Sequence, residues 1–362
     1  VAKVELSDYG YVNARVRGMR AHLLTREFFM QLLEAEDIQA VHSLLEQTVY
    51  RREIDEAILL NPEQPDYDQA LNVNFVATLR KIKDSTGGEP HRLVSIIFSR
   101  YDVHNIKTIL RGKKAGASPS EIVTAMIPVG NIRIEILEEL AKVNQIADVF
   151  EGLDVHRIKY YEPLKDAFPR FKEREGDLAI LDLALDKFHY QDSLEQLKRR
   201  DPNVELVRRM IVNELDMRNI STLVRIRGIK LEDDEVKELC IPKGTLSIEK
   251  FLELAKLGDV SRIVAEYPDP GYRRVLEKAL AAYEEVDIAA FDRELEHGLT
   301  SLGASMSNID VLGIGVIIGY IWLKQNEIIN LRILIKGKTM ERPKASIEKD
   351  LFFVEREDAR AA

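Results

Sequence analysis

The sequence predicts an all-α protein built from three tandem copies of one helical unit. Three observations carry that prediction. Good helix formers such as Leu, Ile, Glu, Lys, Arg and Ala dominate the 362 residues, while Gly and Pro number only 19 and 12. No alternating apolar–polar run is long enough for a sheet. The thirteen residues YDVHNIKTILRGK at 101–113 return as LDMRNISTLVRIR at 215–227 and as NEIINLRILIKGK at 326–338.

These segments align on Asn105, Asn219 and Asn330, which stand 114 and then 111 residues apart. Three positions earlier are Asp102, Asp216 and Glu327; six positions later are Arg111, Arg225 and Lys336. Asp102, Asn105, Ile106, Ile109 and Leu110 fall on one face of a 3.6-residue period, so we read each segment as an Asn helix. A second element travels with it. IPVGNIRIEILEELAK (127–142) matches IPKGTLSIEKFLELAK (241–256), and LLTREFFMQLLEAEDI (23–38) supplies the first version. Glu27, Phe29, Leu32 and Asp37 correspond to Glu249, Phe251, Leu254 and Asp259, with Glu135, Leu137 and Leu140 in the middle copy. Tyr50-Arg51-Arg52 falls where Tyr272-Arg273-Arg274 falls. The Pro-x-Gly before the middle and last versions is a turn signal. Fixed offsets in two separate elements are the mark of a repeated unit.

The copies predict units at 1–115, 116–232 and 233–350, with a charged tail at 351–362. Joints are expected in GKKAGASPS (112–120) and RGIKLEDDE (227–235). The longest apolar stretch, VLGIGVIIGYIWL at 311–323, is short of the roughly 20 residues that span a bilayer, and reads as a buried helix. The opening VAKVELSDYGY has no apolar leader segment.

A net charge of −9 argues against nucleic acid as the main ligand, because phosphate binding needs a basic face. The single cysteine, Cys240, excludes an internal disulfide and reads as a small core residue. The seven histidines are scattered, and HExxH, GxxxxGK[ST] and GxSxG are absent. No catalytic residue, metal or cofactor is expected. A carboxylate three residues before an Asn could ligate a metal. A site needed once has no reason to appear three times, so the Asp–Asn pairs are expected to be buried packing devices that satisfy backbone groups of a neighbouring helix end. Arg111, Arg225 and Lys336 suit the negative ends of their helices, with a partner's acidic surface as the alternative role. Arg15 and Arg17 are candidates for a partner interface.

The segments YGYVNARVRGMRAHLL, YDVHNIKTILRGK and GYIWLKQNEIINLRILIKGK together resemble the C subunits of the archaeal and bacterial V/A-type ATP synthases, whose eukaryotic counterpart is the d subunit of the vacuolar ATPase. The resemblance covers residues from about 5 to 350. The middle copy departs from it, with Arg227-Gly228 where the outer copies have Gly112-Lys113 and Gly337-Lys338. The resemblance implies three helical subdomains with pseudo-threefold symmetry in a funnel. It implies a monomer, one copy per complex, peripheral on the cytoplasmic face of the membrane, between the central shaft (subunits D and F) and the proteolipid ring. Such a subunit would be a non-catalytic rotor part in ATP synthesis or hydrolysis linked to H⁺ or Na⁺ transport. The competing expectation is an open helical-repeat scaffold that binds peptide or protein partners. A third is an enzyme with a site between units.

Overall fold

The computed structural model describes residues 9–268, 270–283 and 287–354; the charged segment 355–362 lies outside them. The described residues form nineteen α-helices and no strand. After α1 (Tyr9–Arg20), the helices fall into three successive sets of six. The first is α2 (Arg26–Glu34), α3 (Ile38–Leu45), α4 (Arg51–Leu60), α5 (Tyr67–Asp84), α6 (Gly88–Ala115) and α7 (Pro119–Thr124). The second is α8 (Ile134–Lys142), α9 (Ile146–Val155), α10 (Tyr161–Glu173), α11 (Leu178–Gln196), α12 (Pro202–Ile226) and α13 (Asp233–Leu239). The third is α14 (Ile248–Leu257), α15 (Val260–Ala265), α16 (Pro270–Ala282), α17 (Ile288–Ile309), α18 (Ile314–Thr339) and α19 (Lys344–Asp350).

Local signals start these helices. Asp37 and Asp259 cap α3 and α15 by accepting backbone N–H bonds, as Asp66 and Asp177 do for α5 and α11. Asp201 caps α12, whose Pro202 fills the first turn without wasting a donor. Each such cap contributes about 1 kcal/mol. The expected joints are partly helical: α6 runs on to Ala115 and α7 opens at Pro119, whereas α12 stops at Ile226.

By its contacts the chain divides into two compact units, Val1–Val94 with Thr300–Ala362, and Ser95–Leu299. In the first, α18 is the central element, packed by α1, α3 and α5. Its buried side includes Ile317, Ile321, Leu331 and Leu334. A Cβ on Gly303 would lie 2.2 Å from the Trp322 ring, so glycine permits that close approach. The apolar stretch at 311–323 is not one buried helix. The Asp310 carboxylate accepts the backbone N–H of Leu312 and Gly313 and turns the chain, which leaves Val311 and Leu312 exposed before α18 begins. In the second unit, Ile106, Leu110, Leu137, Leu140, Val149, Leu153, Leu181 and Leu185 are fully buried in one cluster. Each such side chain contributes about 1.5–3 kcal/mol of transfer free energy. Cys240 is buried, and that burial pushes its thiol up to about 11, which leaves it protonated and inert.

Candidate functional site

The three asparagines are 0%, 0% and 1% exposed, and each makes the same pair of bonds. Asn105 donates its amide to the carbonyl of Ile127 at 2.9 Å and accepts the Ile127 N–H at 2.7 Å. Asn219 does so with Ile241, at 2.8 and 2.9 Å. Asn330 does so with Phe352, at 2.6 and 3.1 Å. The partner is 22 residues further on every time. A side-chain amide carries the same donor and acceptor as a peptide, so it can pair with one residue's backbone on both sides. The paired residue lies in non-helical chain just past the end of α7, α13 or α19.

The carboxylates three residues earlier hold the segment that follows. Asp102 accepts the N–H of Asn131 at 2.8 Å and of Ile132 at 2.9 Å. Asp216 accepts the N–H of Thr245 at 2.8 Å. A Cβ on Gly130 would lie 2.0 Å from Asp102 Oδ1, and one on Gly244 would lie 2.3 Å from Asp216 Oδ1. The Pro-x-Gly is therefore more than a turn, because its glycine makes room for the carboxylate. The Asn helix of the first copy thus docks on the Glu element of the second, and the second on the third.

The last Asn helix docks on the first Glu element. Glu327 accepts the N–H of Leu24, 303 residues away, and the hydroxyl of Tyr50 at 2.5 Å. Lys324, only 2% exposed, donates to Glu327 at 2.9 Å and to Tyr50 Oη at 2.7 Å, with its ammonium 4.2 Å from the centre of the Tyr50 ring. Burial lowers the Lys324 pKa and holds that of Tyr50 well above its usual value, with Glu327 adding to the latter. Tyr160 and Tyr272 occupy the corresponding buried places and donate to backbone carbonyls of Ser99 and Asn213. Phe353 completes this joint edge-on against Phe29, under the Arg26 guanidinium.

A further set of links uses charge. Arg111 meets Asp182 at 2.5 Å, and Arg225 meets Asp292 at 2.5 Å. These arginines are ion-pair partners of the next copy's long helix, and Arg225, like Lys336, also stands in the last turn of its own helix. Lys113 donates to the carbonyl of Ala141 near the end of α8, and Lys338 to those of Leu33 and Ala35 at the end of α2. The middle copy has Arg227 there instead. Its guanidinium lies 4.9 Å from the centre of the Tyr283 ring, and α12 ends one residue earlier. Lys336 is exposed. Arg15 is exposed and donates to Tyr11 Oη at 3.2 Å; Arg17, also exposed, donates to the carbonyl of Val311. Asn13, next to them on α1, donates to the carbonyls of Leu312 and Gly313 at 2.7 and 3.0 Å.

The helices α11, α12 and α17 enclose an open cleft of about 380 Å³. Asp182, Asp186, Asp292 and Glu296 line it, opposed by Arg218 and Arg225. Asp186 is buried between Lys107 Nζ at 2.7 Å and Arg218 at 3.6 Å. Arg218 also donates to Tyr190 Oη at 2.9 Å; burial pushes that phenol up to about 12. The acid pairs at 182/186 and 292/296 carry a helical i, i+4 spacing that reading the sequence for repeats missed. Elsewhere His42 lies 3.2 Å from Asp55 and 3.7 Å from Glu46, a surface grouping whose Asp55 also pairs with Arg51.

Among the described residues no helix is long and apolar enough to cross a membrane. The sequence matches the ATP synthase (C/AC39) subunit family over residues 12–350. It is 26% identical to the A-type ATP synthase C subunit of Methanocaldococcus jannaschii, across 92% of this chain and 84% of that one. The A-type C subunit of Methanococcoides burtonii is 29% identical across 95% of this chain and 94% of its own, and that of Pyrococcus abyssi 27% identical across 91% and 86%. With residues 12–350 matched, the chain belongs to the ATP synthase (C/AC39) subunit family.

Proposed function

We propose that this chain is a non-catalytic rotor subunit that couples the central shaft, subunits D and F, to the membrane proteolipid ring. An ATP synthase subunit acts as one part of a multi-subunit complex, and the relatives named above are all A-type ATP synthase C subunits. In this reading the chain sits at the cytoplasmic face, one copy per complex, and its three repeats at 1–115, 116–232 and 233–350 act as three subdomains. It takes part in ATP synthesis or hydrolysis linked to H⁺ or Na⁺ transport by passing rotation on.

The observation that carries this reading is the threefold recurrence of one buried joint. A part that transmits torque must not yield between its subdomains. Each joint fixes an Asn helix to the next element by at least three hydrogen bonds onto backbone, and burial of the Asn and carboxylate side chains holds them in the rotamers that make those bonds. None of these groups is arranged for bond-making chemistry.

The test is reconstitution of membrane vesicles with and without this chain, following ion uptake beside ATP turnover. Without it, ATP hydrolysis in the soluble head is expected to continue while ATP-driven ion uptake is lost. Full coupled pumping in its absence would overturn the proposal.

A further inference from the structure

The cleft between α11, α12 and α17 lacks a cation that the preceding copy has. Asp182 and Asp186 on α11 correspond to Asp292 and Glu296 on α17, each pair four residues apart. The Arg111–Asp182 pair recurs as Arg225–Asp292 with the same atoms and the same 2.5 Å separation. The second pair does not recur. Lys107, two residues after Asn105, sits 2.7 Å from Asp186; two residues after Asn219 stands Ser221, which donates instead to Asp292 at 2.7 Å. Arg218, one residue before Asn219, also reaches Asp186, whereas the residue before Asn330 is the uncharged Ile329. Asp186 therefore has two cations and Glu296 has none within ion-pair distance among the described residues. Its carboxyl feels Arg218 only from farther off. Glu296 is exposed, and the partial desolvation of its carboxyl in the cleft, with the neighbouring Asp292 adding, raises its pKa.

We propose that this cleft receives a lysine or arginine side chain of a partner protein, whose cation sits against Glu296 and Asp292 in the place Lys107 fills one copy earlier. The partner's identity rests on the rotor reading, which makes it the shaft. The chemistry of the lining selects this occupant. Leu183, Met217 and Leu295 offer apolar surface for the aliphatic stem, while the carboxylates take the head. A metal ion fits poorly, because among the described residues no three carboxylates here come close enough to ligate one. Arg218 and Arg225 also flank the slot and oppose a multivalent cation more than a single charge. Lys107 against Asp186 shows that this fold holds such a pair with its lysine buried.

The test uses the full chain and the purified shaft pair, subunits D and F, with Kd measured across a salt series. Glu296→Gln is expected to bind about three- to fivefold more weakly, since an exposed charge acts mainly through association rate and salt sensitivity. Glu296→Asp should restore most of the affinity. Ser221→Lys, which places the missing ammonium from within, should weaken binding at least as much while its thermal melt holds or rises. Glu296→Gln and Ser221→Lys should both change the salt dependence, which a purely structural role would leave unmoved, while Glu296→Asp should keep the wild-type slope. If the wild-type chain binds the shaft and the variants bind with unchanged Kd and salt slope, the proposal is overturned and the rotor reading stands. If the wild-type chain does not bind the shaft at all, both fall. Stabilisation of the wild-type chain by spermidine, lost in Ser221→Lys while shaft binding persists, would assign the slot to a free polyamine and overturn the protein occupant.

Discussion

The joints made by Asn105 and Asn219 differ from the one made by Asn330 in what surrounds the shared hydrogen bonds. In the first two, the chain runs on directly from the paired backbone at Ile127 or Ile241 into the Glu element that the carboxylate holds. The carboxylate is an aspartate, and a glycine makes room for it. In the third, the paired backbone is Phe352 and the held backbone is Leu24, more than three hundred residues away. Here the carboxylate is the longer Glu327, which takes the hydroxyl of the buried tyrosine, and a buried lysine and an aromatic contact are added. Where the chain itself tethers the two sides, the carboxylate of the joint holds backbone N–H groups and the ion pairs stand apart from it, on Arg111 and Arg225. Where it does not, the joint's own carboxylate is also paired with a buried lysine, and bringing distant segments together carries a loop-closure cost that a short connection avoids.

The largest effect should come from breaking that cluster. Glu327→Leu leaves the Lys324 ammonium buried without its carboxylate, and urea unfolding should show a loss of about 3–5 kcal/mol. Lys324→Met in the same chain should recover a large part of that loss, since it removes the stranded charge. A double variant no more stable than Glu327→Leu alone would mean that the ion pair is not what holds the third joint.

Next in size are the asparagines. Asn219→Leu leaves the Ile241 N–H unpaired in a buried place, with only the weak Cys240 thiol donor left for its carbonyl, and should cost about 1–3 kcal/mol. Asn330→Leu should cost less, because Asn326 also donates to the Phe352 carbonyl at 2.9 Å and keeps that acceptor satisfied. Equal losses in calorimetry would remove the distinction between the joints.

These positions were legible in the sequence to different degrees. The asparagines and their carboxylates could be located because the copies keep fixed offsets, and burial of a polar side chain leaves a periodic trace. Their partners could not. A backbone N–H 22 or 29 residues away has no residue signature, so Gly130 and Gly244 read only as turns. The third joint was harder still, since nothing local links Leu24 to Glu327. The helix-end place of Arg225 was legible, but its ion pair and that of Arg111 were not, because their acids lie on another helix some seventy residues on. The all-α class was plain from composition and period alone, while the start of α18 was obscured because Asp310 turns the chain inside an apolar run.

A smaller effect separates the regions by pH. His189 is buried, which pushes its pKa down to about 3, with Asp186 opposing the shift and nearby cations adding to it. Between pH 6.5 and 3 the unfolded chain binds a proton there that the folded chain does not. Stability should therefore fall on acidification by about 1.4 kcal/mol per pH unit from this group. From pH 7 to 5, His189→Leu should flatten the loss by on the order of 1–2 kcal/mol. An unchanged slope would show that His189 accepts its proton in the folded state.

The most direct test of the three-joint scheme is a circular permutant in which residue 362 is linked to residue 1 and new ends are opened between Gly116 and Ala117, in an exposed turn. The third joint then gains a chain connection and the first loses one. If the three joints do the same job in the same order, the permutant should show wild-type helical content and a single cooperative urea transition, shifted to lower urea because the first joint loses its tether and its hydrogen bonds and ion pairs, Arg111–Asp182 and Lys107–Asp186, must hold it alone. A chain without cooperative unfolding, or one as stable as the wild type, would contradict that scheme.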